Sequence, residues 1–334
     1  MVLRVCRAVL GPADAEDAWS ETFLSAMRAY PELDPHANVE AWLVTIAHRR
    51  AIDVGRTLTR APAPVERLPD PGRTDSYDPD LWAALETLPD KQRRTLAYRY
   101  LAGLPYAEIA GLLGGTTEAA RRRRTQDLAH HLPGGGSVTE IFDRLTADDA
   151  TLARLRAKLA RDAQRTGVLD VAYRTVDTSV GPLLLAATTT GLVRVAFLEQ
   201  ATEEAELQRL SDKVSPRVLR APGRLDDAAS QIEQYLAGAL RAFDLPLDLQ
   251  LADGFRRTVV EQLRHIGYGH RASYAAVAAA VGNPRAVRAV GSACGHNPLP
   301  LVIPCHRVVR TDGSIGQYAG GAAVKARLLD LEAV

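Results

Sequence analysis

Two breaks in composition limit how this chain of 334 residues can fold. From Ala61 to Pro79 it holds Pro62, Pro64, Pro69, Pro71, Gly72 and Pro79 with no apolar period, so this stretch reads as a linker. Pro133-Gly134-Gly135-Gly136 makes a second, flexible joint. The length allows a core on each side of such breaks, so the chain is read as multidomain, and no internal repeat is visible. The divisions fall at 1–60, the linker 61–79, 80–132, a linker and helix 133–168, a sheet lobe 169–253 and a last lobe 254–334.

Up to residue 168 the pattern is helical. Val2, Val5, Cys6 and Val9 share one helical face, and Phe23, Leu24, Met27, Trp42, Ile46 and Ile52 continue the style. Leu81 to Leu132 also reads as helices, with Pro89 at a start and Gly103 and Gly114 at ends. Thr146 and Asp149 suit a capping box before the stripe Leu152, Leu155, Leu159. Near Leu169 the period changes. Val171 to Val176, Leu183 to Ala187 and Leu192 to Phe197 read as strands. Helices are expected at Asp226 to Leu240 and Phe255 to Ile266. Tyr274 to Val281 and Arg285 to Cys294, joined by Gly282-Asn283-Pro284, make a helix-turn-helix whose second helix carries Arg285 and Arg288. A short apolar strand, a glycine-rich loop and a C-terminal helix follow.

The chemistry concentrates in Ile303-Pro304-Cys305-His306-Arg307-Val308. A thiol becomes a nucleophile only as thiolate, which needs a base or positive charge nearby. A Cys-His dipeptide alone is weak evidence, since neighbours on a strand face opposite ways. Around it stand the helix-turn-helix, the Asn297-Pro298 turn, Tyr318 framed by Gly313, Gly316, Gly320 and Gly321, and Glu332, placed to orient a histidine. Glycines there let backbone approach a flat ligand. Together these suggest chemistry on a DNA base. Each residue has an ordinary alternative: a solvated helix arginine for Arg288, core packing for Tyr274, a turn former for Asn297, a surface charge for Glu332.

From about Leu169 to Glu332 the chain resembles the O6-alkylguanine-DNA alkyltransferases, also called methylated-DNA–protein-cysteine methyltransferases. The resemblance rests on Pro304-Cys305-His306-Arg307-Val308, Asn297-Pro298, Arg288 to Gly291, Gly316 to Gly321 and Lys325 to Glu332, all in family order. It implies a small sheet lobe followed by a winged-helix-like lobe, in an α/β or α+β arrangement. Cys305 would accept the alkyl group of O6-alkylguanine, with O4-alkylthymine as a further substrate. His306 would take the thiol proton through a water, Glu332 would polarise His306, and Asn297 would brace the site. Tyr274 would donate to guanine N3, and Arg288 would fill the gap left by the flipped base. The Tyr318 to Gly321 loop would hold that base, with Arg285 and Lys325 among the DNA-binding residues. O6 lies inside the stack, so flipping is required. Ala319 stands where a hydroxyl residue often follows the loop tyrosine, and Val260 where tryptophan is usual. Cys294 reads as a small apolar filler. The lesion is the alkyl donor, so neither cofactor nor active-site metal is expected, and the thioether product implies one turnover per molecule.

Met1 to Leu132 resembles regions two and four of the extracytoplasmic-function sigma factors. The resemblance rests on Asp14 to Phe23, Ala41 to Asp53, Leu88-Pro89, Tyr106 to Ala110 and Arg121 to Arg124. It implies an all-α sigma-like half that reads promoter DNA and docks on core RNA polymerase through Asp14 to Phe23. Trp42, among His48, Arg49, Arg50 and Arg56, suits melted DNA. Arg121, Arg122, Arg123 and Arg124 belong to a second helix-turn-helix, or are a solvated basic face. The chain starts inside the family's first helix, and Asp127 places an acid late in the presumed recognition helix. These departures also fit a degenerate appendage.

The net charge of +1 carries no global nucleic-acid signal, so DNA binding must come from local clusters. The three cysteines show no paired framework and no CxxC spacing, as in a reducing cytoplasm. No stretch is long enough to span a membrane, and a monomer is expected. The expected activity is stoichiometric repair of alkylated duplex DNA. The alternative is a transcription regulator that senses alkylation at Cys305.

Overall fold

The computed structural model describes residues 1–11, 14–60, 88–125 and 149–333. The linker, the glycine joint, Thr146 and Asp127 lie outside these residues. The chain separates into two compact units, Met1–Val168 and Leu169–Val334.

The first unit is helical: α1 (Val2–Leu10), α2 (Ala15–Ala29), α3 (Val39–Arg60), α4 (Asp90–Tyr100), α5 (Tyr106–Leu113), α6 (Thr117–Thr125) and α7 (Asp149–Arg165). Helix α1 buries Val2, Val5, Cys6 and Val9, the face its period marks, and packs on α2, α3 and α4. The sequence separates α1 to α3 from α4 by the linker, yet their side chains share a core. Tyr98 of α4 is fully buried, and its hydroxyl hydrogen-bonds His48 Nδ1 of α3. Burial lowers the His48 pKa, helped by Arg94 and Arg49. His48 therefore leaves the basic surface cluster in which the sequence reading set it. Helices α5 and α6 pack together as a helix-turn-helix, with Gly114 at φ 68° closing α5, a left-handed value that favours glycine.

Helix α7 has α2 as its main partner. It buries Leu155, Leu159 and Ala163, residues four apart that line one face. Burial of each leucine contributes about 1.5–3 kcal/mol.

In the second unit, β1 (Val171–Val176), β2 (Leu183–Ala187) and β3 (Leu192–Phe197) coincide with the three apolar runs. They form an antiparallel meander, joined at β1 by parallel β4 (Val218–Arg220), in the order β3-β2-β1-β4. Strand β2 is buried throughout. Leu183, Leu185 and Ala187 point into the larger core, while Leu184 and Ala186 point to the opposite face with Leu210. Leu210 belongs to α8 (Glu203–Lys213), which the sequence reading passes over. Apart from Leu210 its buried residue is Glu206, held by Arg194 at 2.7 and 2.8 Å, so it carries almost no apolar stripe.

Helix α9 (Asp226–Leu236) stops before the expected Leu240, where Gly238 turns at φ 76°. Then come α10 (Gly254–Leu263), β5 (Ala272–Ser273), α11 (Tyr274–Ala280), α12 (Val287–Gly295), β6 (Val308–Val309) and α13 (Gly321–Leu331). Arg285 does not lie on the second helix of the pair, as expected, but in the turn before it. Arg285 is taken up by the tight Asn283–Ala286 turn, closed by Ala286 N–H donating to Asn283 O at 2.9 Å, and the helix begins at Val287. Val260, standing in for a larger residue, is fully buried in α10.

Candidate active site

Cys305 does not lie on a strand. It opens a single 3-10 turn, Cys305–Arg307, and the strand is reduced to β6 behind it. The reason is local. Cys305 N–H donates to Ile303 O at 2.8 Å and Arg307 N–H to Pro304 O at 3.0 Å, so backbone bonds close within the segment rather than across a sheet. Upstream, Leu301 adopts φ 73° with its side chain buried in the core. A non-glycine residue held there costs on the order of 1–3 kcal/mol and persists only when its surroundings enforce it.

The turn aims Cys305 and His306 into the interior; they are 2% and 0% exposed. Asn297 is also buried. Its Nδ2 donates to Ile303 O at 2.9 Å and its Oδ1 accepts from Leu299 N–H at 3.0 Å, which braces the loop before Cys305. Burial pushes the Cys305 thiol up to about 11, against a hydrogen bond from Asn297 and the Lys325 charge, which pull it down. A resting thiol therefore has to lose its proton to a base when it reacts.

His306 Nε2 lies 3.1 Å from Glu332 Oε1 and 3.1 Å from the Tyr235 hydroxyl. Tyr235 itself donates to Glu332 Oε1 at 2.6 Å. Arg307 grips the same carboxylate, Nη2 to Oε1 at 2.7 Å and Nε to Oε2 at 2.9 Å, and its Nη1 donates to Ile266 O. Gly269 N–H adds a longer bond to Oε2, 3.4 Å. Burial raises the Glu332 pKa, but the bonds from His306, Arg307 and Tyr235 outweigh it and hold the carboxyl at about 2. Burial lowers the pKa of His306, against the raising effect of Glu332. The imidazole is thus neutral at pH 7 with Nε2–H directed at a carboxylate. Its buried Nδ1 has no hydrogen-bond partner, so a lone pair is left for a proton.

Parallel pairing of β5 with β6 sets Ala272 beside Val308 and Ser273 beside Val309. Ser273 then caps α11, its Oγ accepting from Ala276 N–H at 3.0 Å. Tyr274 follows directly, so the helix-turn-helix is pinned to the cysteine segment. A Cβ on Gly316 would collide with the Tyr274 hydroxyl, and one on Gly320 would come within 2.8 Å of the Phe197 ring. These glycines make room for the protein's own rings, not first for a flat ligand. Gly321, at φ 85°, opens α13. Tyr318 is buried, with ring centroids 5.6 Å from Phe197 and 6.1 Å from His306.

Arg285 and Arg288 are exposed. Lys325, grouped by sequence with DNA-contacting residues, is fully buried, and its Nζ donates to Val308 O. Its Nζ is therefore not open to a phosphate, and its charge pulls the Cys305 pKa down. Cys294 is buried too, with its thiol pushed up to about 12 by burial. Sequence reasoning missed Arg307 and Tyr235. Arg307 was open to view in the string after Cys305. Tyr235 sits on the buried stripe of α9 with Ala228 and Ile232, where nothing marks its hydroxyl as more than a core tyrosine's.

In the first unit Trp42 is half-buried, its ring centroid 6.4 Å from that of Tyr30. Arg49 is exposed. Arg50 is tied down, donating from Nε to Ser25 at 2.9 Å and lying 3.6 Å from Asp53. Arg121 and Arg122 are exposed on α6; Arg123 and Arg124 belong to the same helix, and their side chains lie outside the described residues. Among the described residues no group of three His, Cys, Asp or Glu side chains is placed to hold a metal ion. None of the described helices is long and apolar enough to cross a membrane.

Fold and site together define an alkyltransferase-type α+β unit: a small sheet lobe, a helix-turn-helix lobe and a buried Cys-His-Glu constellation. Residues 254–334 match the DNA-binding domain of 6-O-methylguanine DNA methyltransferase, and 171–249 match its ribonuclease-like domain. Over 160 residues the chain is 40% identical to the methylated-DNA–protein-cysteine methyltransferase of Mycobacterium tuberculosis, covering 48% of this chain and 91% of that protein. The constitutive enzyme of Bacillus subtilis is 37% identical over 166 residues, or 48% of this chain and 95% of that one. A crystal structure of the M. tuberculosis O6-methylguanine methyltransferase, 39% identical, aligns over 49% of this chain and 93% of that chain with a TM-score of 0.44. The chain belongs to the methylated-DNA–protein-cysteine methyltransferases. Its N-terminal half matches Sigma-70 region 2 over residues 1–61 and Sigma-70 region 4 over residues 79–126.

Proposed function

We propose that this protein repairs double-stranded DNA by moving the alkyl group of O6-alkylguanine, or of O4-alkylthymine, irreversibly onto Cys305. The observation that carries the reading is buried Cys305 followed directly in the chain by neutral His306, which contacts ionised Glu332. His306 Nδ1 takes the thiol proton through a bridging water, and Glu332 stabilises the imidazolium. The sulfur attacks the alkyl carbon, the C–O6 bond breaks, and guanine leaves with the electron pair and gains a proton with help from Tyr274. Arg288 fills the space of the flipped base, Arg285 stands by the backbone, and the loop Tyr318, Gly320, Gly321 holds the base. A thioether is a poor leaving group, so each molecule reacts once. The protein would work in the cytoplasm as a monomer. Incubation with O6-methylguanine DNA and peptide mass spectrometry should place one methyl on Cys305 and none on Cys6 or Cys294. Methyl elsewhere, or transfer by Cys305→Ser, overturns the assignment.

The Sigma-70 matches favour a second role: α2, through Asp14 to Phe23, docks on core RNA polymerase while Trp42, Arg49 and Arg121 to Arg124 face promoter DNA. In this reading methylation of Cys305 serves transcription as a signal. In vitro transcription with methylated and unmethylated protein tests it; equal output from both removes the sensor role.

A further inference from the structure

Helix α7 lies outside all four matched regions, between 126 and 171, yet it is fitted to α2. Arg154 Nη2 lies 2.7 Å from Glu16 Oε1. Lys158 Nζ lies 3.3 Å from Asp17 Oδ1 and 3.4 Å from Ser20 Oγ. Residue numbers rise together on both helices, so they run in the same sense. Beside the polar contacts and beyond them α7 buries Leu155, Leu159 and Ala163. On α2 these contacts fall on Glu16 and Asp17 in its first turn, Asp17 keeping 72% of its side chain exposed, and on buried Ser20. Such a face selects a basic helix with an apolar residue at every turn. α7, with Arg154, Arg156, Lys158, Arg161 and Arg165, is one.

We propose that α7 is a built-in competitor for the docking face of α2, holding that face closed to core RNA polymerase until α7 is displaced. The proposal rests on the sigma reading of the first unit. Glu16, Asp17 and Ser20 all fall within Asp14 to Phe23, the segment that the sigma reading gives to polymerase, so α7 and polymerase would compete for it. The grip is suited to release. Arg154 is 47% exposed and Lys158 36%, and ion pairs open to water are screened and hold weakly. A face that is free only a fraction of the time lowers apparent affinity by that fraction.

The test uses the full chain. Arg154→Glu with Lys158→Glu sets like charges against Glu16 and Asp17, and Leu155→Asp removes an apolar anchor instead. Opening is read without polymerase, from the labelling rate of a Ser20→Cys thiol located by mass spectrometry. Affinity for core polymerase is measured on the same proteins without the Ser20 change. The expected result is faster labelling and about 5- to 150-fold tighter polymerase binding in at least one opened variant, the span of a typical coupling between two sites. If neither variant labels faster, α7 is a fixed wall and the proposal fails. If α2 opens while wild type and variant bind polymerase equally, the competitor idea fails and the sigma reading stands. If α2 opens and no form binds polymerase, both fail.

Discussion

His306 and Arg307 share one carboxylate, and Arg307 binds both of its oxygens. Arg307 and Tyr235 therefore hold Glu332 in place while His306 exchanges its proton. Glu332, held at about 2, stabilises the fold fully above the ordinary carboxylate range near pH 4.3 and loses that contribution as pH falls from there toward 2. Tyr235→Phe removes one hydrogen bond to the ion, worth about 1.5–3 kcal/mol, and moves the Glu332 pKa upward. Urea titrations should show the variant less stable at pH 7, with a smaller further loss between pH 4.5 and 2.5 than wild type. Its methyl-transfer rate should fall because His306 Nε2 loses a partner at 3.1 Å. Equal acid sensitivity in the two proteins would show that Tyr235 does not bear on Glu332. The sequence made Cys305, His306 and Glu332 readable as a set, because a nucleophile, a base and an acid recur in chemistry that residue types reveal. Tyr235 was not readable, because its part depends on a helix from the other lobe meeting the end of the chain.

At the scale of elements, the short parallel pairing of β5 with β6 decides what the helix-turn-helix can reach. It sets Tyr274 at the cysteine segment and leaves Arg288 exposed on α12. Extruding a base costs a few kcal/mol, and a side chain that takes its place offsets part of that. Arg288→Ala should slow reaction with duplex DNA by about tenfold or more, each factor of ten being about 1.4 kcal/mol. With free O6-benzylguanine, which needs no flipping, the rate should stay close to wild type. Equal losses on both substrates would make Arg288 a structural residue. Apolar runs located β2 and β3, which are buried along almost their whole length, and β1, whose first two residues are buried. They passed over α8, which buries little beyond Glu206 and Leu210.

Across the whole molecule, Met1–Val168 and Leu169–Val334 each have their own internal packing. Leu96 of α4 is 2% exposed, and Leu96→Ala should cost about 2–5 kcal/mol through lost burial and a cavity. Calorimetry should show this as an earlier transition of the helical half, with the methyl-transfer rate unchanged. A fall in that rate in parallel with the transition would show that the halves unfold as one. Composition and apolar period were enough to type the halves of the chain as helical and α+β, because apolar periods are written locally. Local pattern could not show that α3 and α4 share a core through His48 and Tyr98, that Lys325 is buried with its Nζ on Val308 O, or that α7 packs on α2. Those outcomes depend on which apolar faces meet when chain segments far apart in sequence exclude water together, and burial then changes what His48, Lys325 and Cys305 can do.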